Sequence, residues 1–100
     1  MSEESLAWKL AVLHKGLCVV TGNRPEQSHH VVTRQKLRKI GREDAWWDAR
    51  NGVPVTTRAH QRHHSRHAPI PLSSLPPEAL EFAAEVLGDA APDYLRRFYA

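Results

Sequence analysis

The chain has 100 residues, of which 41% are hydrophobic and 25% charged, and these proportions are ordinary for a globular domain. This length predicts a single domain, and the one cysteine, Cys18, excludes both a disulfide framework and a zinc site built from cysteine pairs. No apolar run is long enough to cross a membrane and the N-terminus lacks the apolar centre of a signal peptide, so we expect no membrane partner and a cytoplasmic location.

Positive charge is concentrated in the middle of the chain. Residues 24–66 contain ten Lys or Arg and four Asp or Glu, a balance of +6, whereas the remaining residues contain four and seven, a balance of −3. A basic stretch of this kind suits a polyanion such as nucleic acid. A solvated basic face without function gives the same pattern, and charge alone does not separate the two interpretations.

The start of the chain predicts an amphipathic helix over residues 2–15, with Ser2 as its N-cap and Gly16 as its stop. Apolar residues recur at helical spacing, and we expect them to form the buried face. They are Leu6, Leu10 and Leu13, with Trp8 and Val12 widening the stripe.

Two short strands are predicted next, over residues 17–21 and 27–32, with a turn at residues 22–25 between them. The first strand is indicated by its β-branched residues. We interpret Cys18 as a small buried apolar residue rather than a ligand.

Residues 33–50 form a long excursion before the next strand, and such excursions often carry function. A short helix capped by Thr33 and one further turn at residues 43–48 are predicted within it. Residues 53–55 form a brief strand. Pro54 indicates that this strand lies at a sheet edge or pairs irregularly, because proline cannot donate a ladder hydrogen bond.

Three further helices are predicted. The first begins at Thr56 or Thr57 and runs to about His67. The second spans residues 77–87 between a proline start and a glycine stop, and the third spans residues 92–99. Their predicted core contacts are Leu80, Ala83, Ala84 and Leu87 in the second helix and Tyr94, Leu95 and Phe98 in the third. We expect both to be scaffold without chemistry.

Histidines dominate the candidate chemistry. His60 and His64 are four residues apart, so on a helix their imidazoles lie on one face and can share a divalent ion. His63, three residues after His60, competes for the same role. Taken alone, the pair is more typical of surface or core histidines than of a metal site.

A second histidine pair changes that balance. His29 and His30 are adjacent on a predicted strand, so their side chains point to opposite sides and would not easily ligate the same ion. One ligand and one free imidazole fit this geometry better, and a free imidazole is a suitable general base for activating water. With the surrounding arginines, these groups predict a metal-assisted phosphodiester-hydrolysing site, and they do not separate a nuclease from a phosphatase.

Three segments, in order, resemble the HNH endonuclease family with its ββα-metal, or His-Me finger, motif. They are residues 28–32 (SHHVV), 47–55 (WDARNGVPV) and 60–64 (HQRHH), within a resemblance that covers about residues 18–67. The entry into the His-x-x-x-His helix looks like the colicin-type DNases. The compact size looks like small phage-encoded HNH proteins, some of which act beside the packaging terminase.

The resemblance implies a role for each matching residue. His29, His60 and His64 match the ligands of one divalent ion, and His30 matches the general base. Asn51 matches the asparagine that pins the loop between the strands and so orients the base. From their positions, three arginines are also expected near the DNA phosphates, namely Arg34, Arg58 and Arg62.

The sequence departs from the family in its ligands. Many small HNH proteins hold a structural zinc with two Cys-x-x-Cys knuckles, whereas here only Cys18 remains. The other three knuckle places hold Thr21, Thr56 and Ala59, so no structural zinc is expected. Family members often carry Asp at the place of His29. The all-histidine set favours zinc or nickel and leaves Mg²⁺ or Mn²⁺ open, because Mg²⁺ prefers oxygen ligands.

The resemblance implies an α+β fold with an N-terminal helix at residues 1–16, a ββα-metal core at 17–67 and a helical extension at 68–100. The implied function is metal-dependent hydrolysis of double-stranded DNA in the cytoplasm of a bacterium or a phage-infected host. A phage terminase or another packaging component is a candidate partner. Two alternatives stay open: a non-catalytic DNA-binding accessory module of a phage packaging or recombination complex, and an RNase-type toxin.

Overall fold

Short polar side chains define where several helices begin. The computed structural model describes residues 2–100, and in this range Ser2, Thr33 and Thr56 each accept a backbone N–H bond from three residues ahead. These bonds confirm the first two N-caps and select Thr56 over Thr57. The helices are α1 (Glu3–Leu13), α2 (Arg34–Lys39), α3 (Thr57–His64), α4 (Pro77–Leu87) and α5 (Ala91–Phe98), and the strands are β1 (Gln27–His30) and β2 (Gly52–Val55).

The two strands pair antiparallel, which confirms the predicted α+β class. His29 lies opposite Val53, and His30 lies opposite Gly52. A Cβ atom at Gly52 would lie only 2.8 Å from a ring carbon of Trp8. Glycine therefore allows α1 to pack directly on the end of the sheet, beside the histidines.

β1 is shorter than predicted, whereas the edge position predicted for β2 is confirmed. β1 stops at His30, two residues before its predicted end. The backbones of Val31 and Val32 bond to Asn51 instead of continuing the ladder. The sheet that the described residues form has two strands, so both are edge strands, and the predicted edge position of Pro54 is confirmed.

The strand predicted over residues 17–21 does not form, and that prediction is wrong. The segment is a turn in which the Gly22 N–H donates to the Cys18 carbonyl at 2.9 Å. The Cys18 thiol, which is buried as predicted, accepts N–H bonds from Thr21 and Thr56 at 3.5 and 3.3 Å. The two bonds within the turn, together with the bond from Thr56, outweigh the strand propensity of the β-branched residues.

The third helix is shorter than predicted. It ends at His64 rather than near His67, because Arg66 adopts a left-handed backbone conformation with φ of 62°. A right-handed helix cannot continue through such a residue. The Arg66 N–H instead closes the last turn on the His63 carbonyl at 3.1 Å.

The first helix buries a different face from the predicted one. Trp8 and Val12 are 3% and 0% exposed, whereas Leu6 and Leu10 are 50% and 47% exposed. The prediction that Leu6, Leu10 and Leu13 form the buried stripe is therefore wrong, and Leu13 is half-buried. Trp8 decides which face is inside, because its indole N–H donates to a backbone carbonyl of the excursion at 3.0 Å.

The hydrophobic core joins β2, α2, α4 and α5 in one cluster. On α4 the buried residues are Ala79, Phe82 and Ala83. The predicted stripe is right for Ala83 and wrong for Leu80 and Ala84, which are exposed. The helix is turned so that the large Phe82 ring, rather than Leu80, enters the core.

The last helix packs as predicted, with Leu95 buried and Tyr94 and Phe98 half-buried against the core. Tyr99, which follows it directly, is only 5% exposed. Among residues 2–100, no helix combines the length and the apolar character needed to cross a bilayer.

Candidate metal centre

The side chains of His29 and His30 on β1 lie on opposite sides of the sheet. His29 is 3% exposed, and its ring centroid lies 5.1 Å from that of His60 and 5.6 Å from that of His64 on α3. His30 instead stacks on Trp8 of α1, with centroids 3.9 Å apart and ring planes inclined by 13°. Two adjacent and chemically identical side chains thus enter different environments.

Three histidines converge on one point. His60 and His64 place their Nε2 atoms 2.8 Å apart. With one ring nitrogen of His29, they offer three ligand atoms that all lie within 4.8 Å of one another. Two nitrogens bound to one ion at about 2.1 Å are at most about 4.2 Å apart, so small side-chain movements suffice to close the set. The three predicted ligands are therefore close enough to hold one metal ion.

The hydrogen-bond partners of His29 determine which of its nitrogens is free. The Tyr99 hydroxyl donates to the Val31 carbonyl at 2.7 Å, so its oxygen can only accept from His29. His29 Nε2 therefore carries the hydrogen in its 2.8 Å bond to that hydroxyl. The lone pair is left on Nδ1.

Gln27 orients His60 in a similar way. Its side-chain oxygen accepts from His60 Nδ1, so the lone pair of His60 lies on Nε2, which faces His64. Without a cation between the two Nε2 atoms, one hydrogen must lie there. A divalent ion bound by both rings would take the place of that hydrogen, which would move to Nδ1 of His64 as the neutral ring changes tautomer.

Burial favours the uncharged form of two of the ligand rings, those of His29 and His60. Desolvation, followed by the neighbouring charge of His63, lowers the pKa of His29 well below its usual value. Desolvation also lowers the pKa of His60, and His64 is the second cause. Neutral imidazole is the form that binds metal, so these shifts prepare the cluster for a cation at neutral pH.

His63 is committed to other contacts. It is 8% exposed, its Nδ1 accepts the Ile70 N–H at 2.9 Å, and its ring stacks on Tyr99 with centroids 4.9 Å apart. Burial lowers its pKa to about 4. The predicted choice of His64 over His63 agrees with the nitrogens that converge.

His30 has the form of an uncharged base at neutral pH. Its Nε2 donates to the Trp46 carbonyl at 3.0 Å, and since a carbonyl only accepts, the lone pair lies on Nδ1. Burial lowers the pKa of His30 to about 4, although the bond to Trp46 opposes the shift. The residue is half-buried, so it retains contact with solvent.

Asn51 ties the excursion to the end of β1. Its side chain is fully buried, with Oδ1 accepting the Val32 N–H at 2.7 Å and Nδ2 donating to the Val32 carbonyl at 2.9 Å. Its backbone carbonyl accepts the Val31 N–H at 3.3 Å. These bonds hold the two residues that follow His30 against the end of the excursion.

The three arginines predicted to contact nucleic acid lie in different places. The Arg34 guanidinium lies 4.3 Å from the Trp46 ring centroid, and its charge contributes to the low pKa of His30. Arg58 and Arg62 are exposed on α3. Residues two apart on an α-helix are separated by about 200°, so both lie on the side of α3 away from the ligand histidines. The structure does not bring them to the cluster.

Two supporting residues were missed by the sequence analysis. Gln27 is two residues before His29 on the same strand, and the period of two could have indicated it as a neighbour of the ligands. Tyr99 is 70 residues from His29 in the chain, and no local pattern points to their hydrogen bond.

Comparison with known proteins identifies no relative. No protein-family model matches the sequence, and neither the curated proteins nor the solved structures give a significant match. The function is therefore inferred from the residues of the site.

Proposed function

We propose that the chain is a metal-dependent endonuclease of the HNH type that hydrolyses phosphodiester bonds in DNA. The observation that supports it best is the convergence of three histidine ligands beside a fourth, neutral imidazole, His30, which stands outside the cluster. A cation site and a free base are the two groups that such hydrolysis requires. In this proposal β1, β2 and α3 form the ββα-metal motif.

The donor set suits a borderline-soft cation. Three neutral imidazoles, on His29, His60 and His64, favour zinc or nickel over Mg²⁺, which prefers oxygen ligands. When bound, the ion supplies Lewis-acid stabilisation of the charge that develops on the phosphate and on the leaving oxygen. Tyr99 and Gln27 hold two of the ligand rings in the orientation that leaves a lone pair for the ion.

His30 performs the proton transfer in this mechanism. Its Nδ1 accepts a proton from the water whose oxygen bonds to phosphorus, while the bond from phosphorus to the leaving sugar oxygen breaks and that oxygen keeps the electron pair. The imidazolium that forms keeps its Nε2–H on the Trp46 carbonyl, and stacking on Trp8 fixes the plane of the ring. Arg34, stacked over Trp46, adds positive charge beside the base for the phosphate.

Cleavage of supercoiled plasmid in Mg²⁺, Mn²⁺, Ni²⁺ or Zn²⁺ tests the proposal. We expect the wild-type protein to cut with at least one ion and His64→Ala to lose about 100-fold or more in rate. His67→Ala is the matched control, because His67 is also exposed and lies just beyond α3 but is outside the cluster. Its rate should equal that of the wild type.

Other outcomes separate the alternatives. Cutting of RNA with no cutting of DNA would replace the proposal with an RNase. Salt-sensitive DNA binding without cleavage by any of the four ions would replace it with a non-catalytic DNA-binding module. Equal rates for His64→Ala and His67→Ala would remove the histidine cluster from the chemistry.

A further inference from the structure

A groove leads away from the histidine cluster. One cavity of about 310 Å³ has His29 and His64 in its wall, and a second cavity of about 410 Å³ lies beside it. The two cavities share four lining residues, which are Thr33, Tyr94, Arg97 and Phe98. They therefore form one groove that runs from the cluster, past α5, to α2.

The groove is strongly basic. Its cationic lining residues are Lys36, Lys39, Arg66 and Arg97. Its one acidic lining residue, Asp93, is bonded to Arg96 at 2.8 Å. Within residues 2–100, none of the four lining cations takes part in a salt bridge. Unneutralised cations along a concave surface favour an anionic ligand.

Aromatic rings alternate with these cations. Tyr94 and Phe98 have ring centroids 4.9 Å apart on adjacent turns of α5. The guanidinium carbons of Arg66 and Arg97 lie 5.3 and 5.5 Å from the Phe98 ring, and Lys36 Nζ lies 6.0 Å from the Tyr94 ring. Basic grooves with aromatic stacking platforms are characteristic of sites for single-stranded nucleic acid.

We propose that this groove binds one unpaired strand of nucleic acid that passes the metal centre. Its phosphates lie against Arg66, Arg97 and the α2 lysines, and its bases stack on Tyr94 and Phe98. A duplex turns its base faces inward, so half-buried rings of this kind can stack only on unpaired bases. The inference rests on the proposed function and specifies its substrate as a strand that is unpaired next to the scissile phosphate.

The test is fluorescence anisotropy with a labelled oligothymidylate of about ten nucleotides, in EDTA so that no metal-dependent cleavage occurs. We expect Arg97→Ala and Phe98→Leu each to weaken binding about 5- to 50-fold. Arg97→Ala should also lower the slope of log affinity against log salt by about 0.7. A blunt duplex of the same length should bind more weakly than the single strand and lose less affinity in Phe98→Leu.

Arg38→Ala is the matched control, because Arg38 lies between Lys36 and Lys39 on α2 and is exposed, but is not among the lining residues of the groove. Its affinity should equal that of the wild type. Equal losses in Arg38→Ala and Arg97→Ala, or no loss in either groove variant, would overturn the inference. A protein that cuts plasmid but fails this test refutes the groove alone. A protein that passes it but cuts nothing refutes the nuclease proposal alone.

Discussion

The two sides of β1 give the same residue type opposite surroundings. On one side, His29 meets other histidines and the Tyr99 hydroxyl, all of them polar groups that can share hydrogens or a cation. On the other, His30 meets the flat indole of Trp8 and a single carbonyl from Trp46. The histidine with nitrogen neighbours is close enough to two others to share one metal ion, whereas the one with aromatic neighbours lies outside that group.

The neighbours of each ring, rather than the imidazole itself, distinguish the two histidines. Burial lowers the pKa on both sides of the strand, so acidity does not separate the two rings. One ring lies among the ring nitrogens of other histidines, whereas the other is held by one carbonyl and one indole.

Replacement of His30 should have the largest effect. In His30→Asn the side chain stays polar and planar but cannot accept a proton, so we expect cleavage to slow by about 10²- to 10⁴-fold. Metal affinity, measured by calorimetric titration with Zn²⁺ or Ni²⁺, should stay within about twofold, because the ligand side of β1 is unchanged.

The control for this variant is His14→Asn, since His14 is exposed on α1 and outside both groups. An unchanged cleavage rate in His30→Asn would remove His30 from the mechanism. A large loss of metal affinity in the same variant would mean that the two sides are not independent.

Loss of the Tyr99 hydroxyl should have the next largest effect. It should change metal affinity through His29 and leave His30 unaffected. Tyr99→Phe removes the acceptor that keeps hydrogen on His29 Nε2, while the ring remains to stack on His63. Metal affinity should fall about 10- to 100-fold. Nitrogen NMR of the His29 ring should change from one tautomer to a mixture.

The second tyrosine provides the matched variant. Tyr94→Phe removes a hydroxyl that accepts the Thr33 N–H at 3.1 Å and touches no ligand histidine. Its metal affinity and its His29 signals should match the wild type. If both variants bind metal normally, the Tyr99 hydroxyl has only a packing role.

Mild acid should have the smallest effect per residue, and it should act on both sides of the strand. Burial lowers the pKa of His30 and of His63 to about 4, whereas the unfolded chain titrates near 6.5. The unfolded state therefore binds more protons between these values, and stability that is fully present above pH 6.5 is lost as the pH falls toward 4. At pH 5 the cost should be of the order of 1–2 kcal/mol for each histidine.

Urea unfolding at pH 7 and pH 5, in EDTA, measures this loss. His30→Asn should lose less stability between the two pH values than the wild type, because one of the imidazoles whose pKa is lowered by burial is gone. Identical pH dependence in the two proteins would show that His30 is equally protonated when folded and unfolded.

The sequence predicted where helices begin, but it did not predict which face of α1 is buried. Ser2 and Thr33 cap helices through bonds that span three residues, so a short window contains the whole cause. The face that α1 buries depends on where Trp8 finds a carbonyl and on the space above Gly52, forty residues away or more. The leucine spacing in α1 therefore indicated a helix but not its orientation.

The same limit applies to the site. His60 and His64 were predictable as a pair because helix geometry alone brings them together. Tyr99 was not predictable, because its contact with His29 is made by the tertiary fold. The basic residues beside the cluster, Arg66 and Arg97, were likewise hidden, since one adopts an unusual backbone angle and the other sits on a helix that looked like scaffold.

The stack of Trp8 on His30 gives the protein a built-in optical reporter. The ring centroids of Trp8 and His30 lie 3.9 Å apart. Because imidazolium quenches indole emission, the fluorescence of Trp8 would fall when His30 carries a proton. The proton that hydrolysis delivers to His30 would arrive beside a fluorophore already present in the chain. Proton transfer to His30 would therefore change the fluorescence of Trp8.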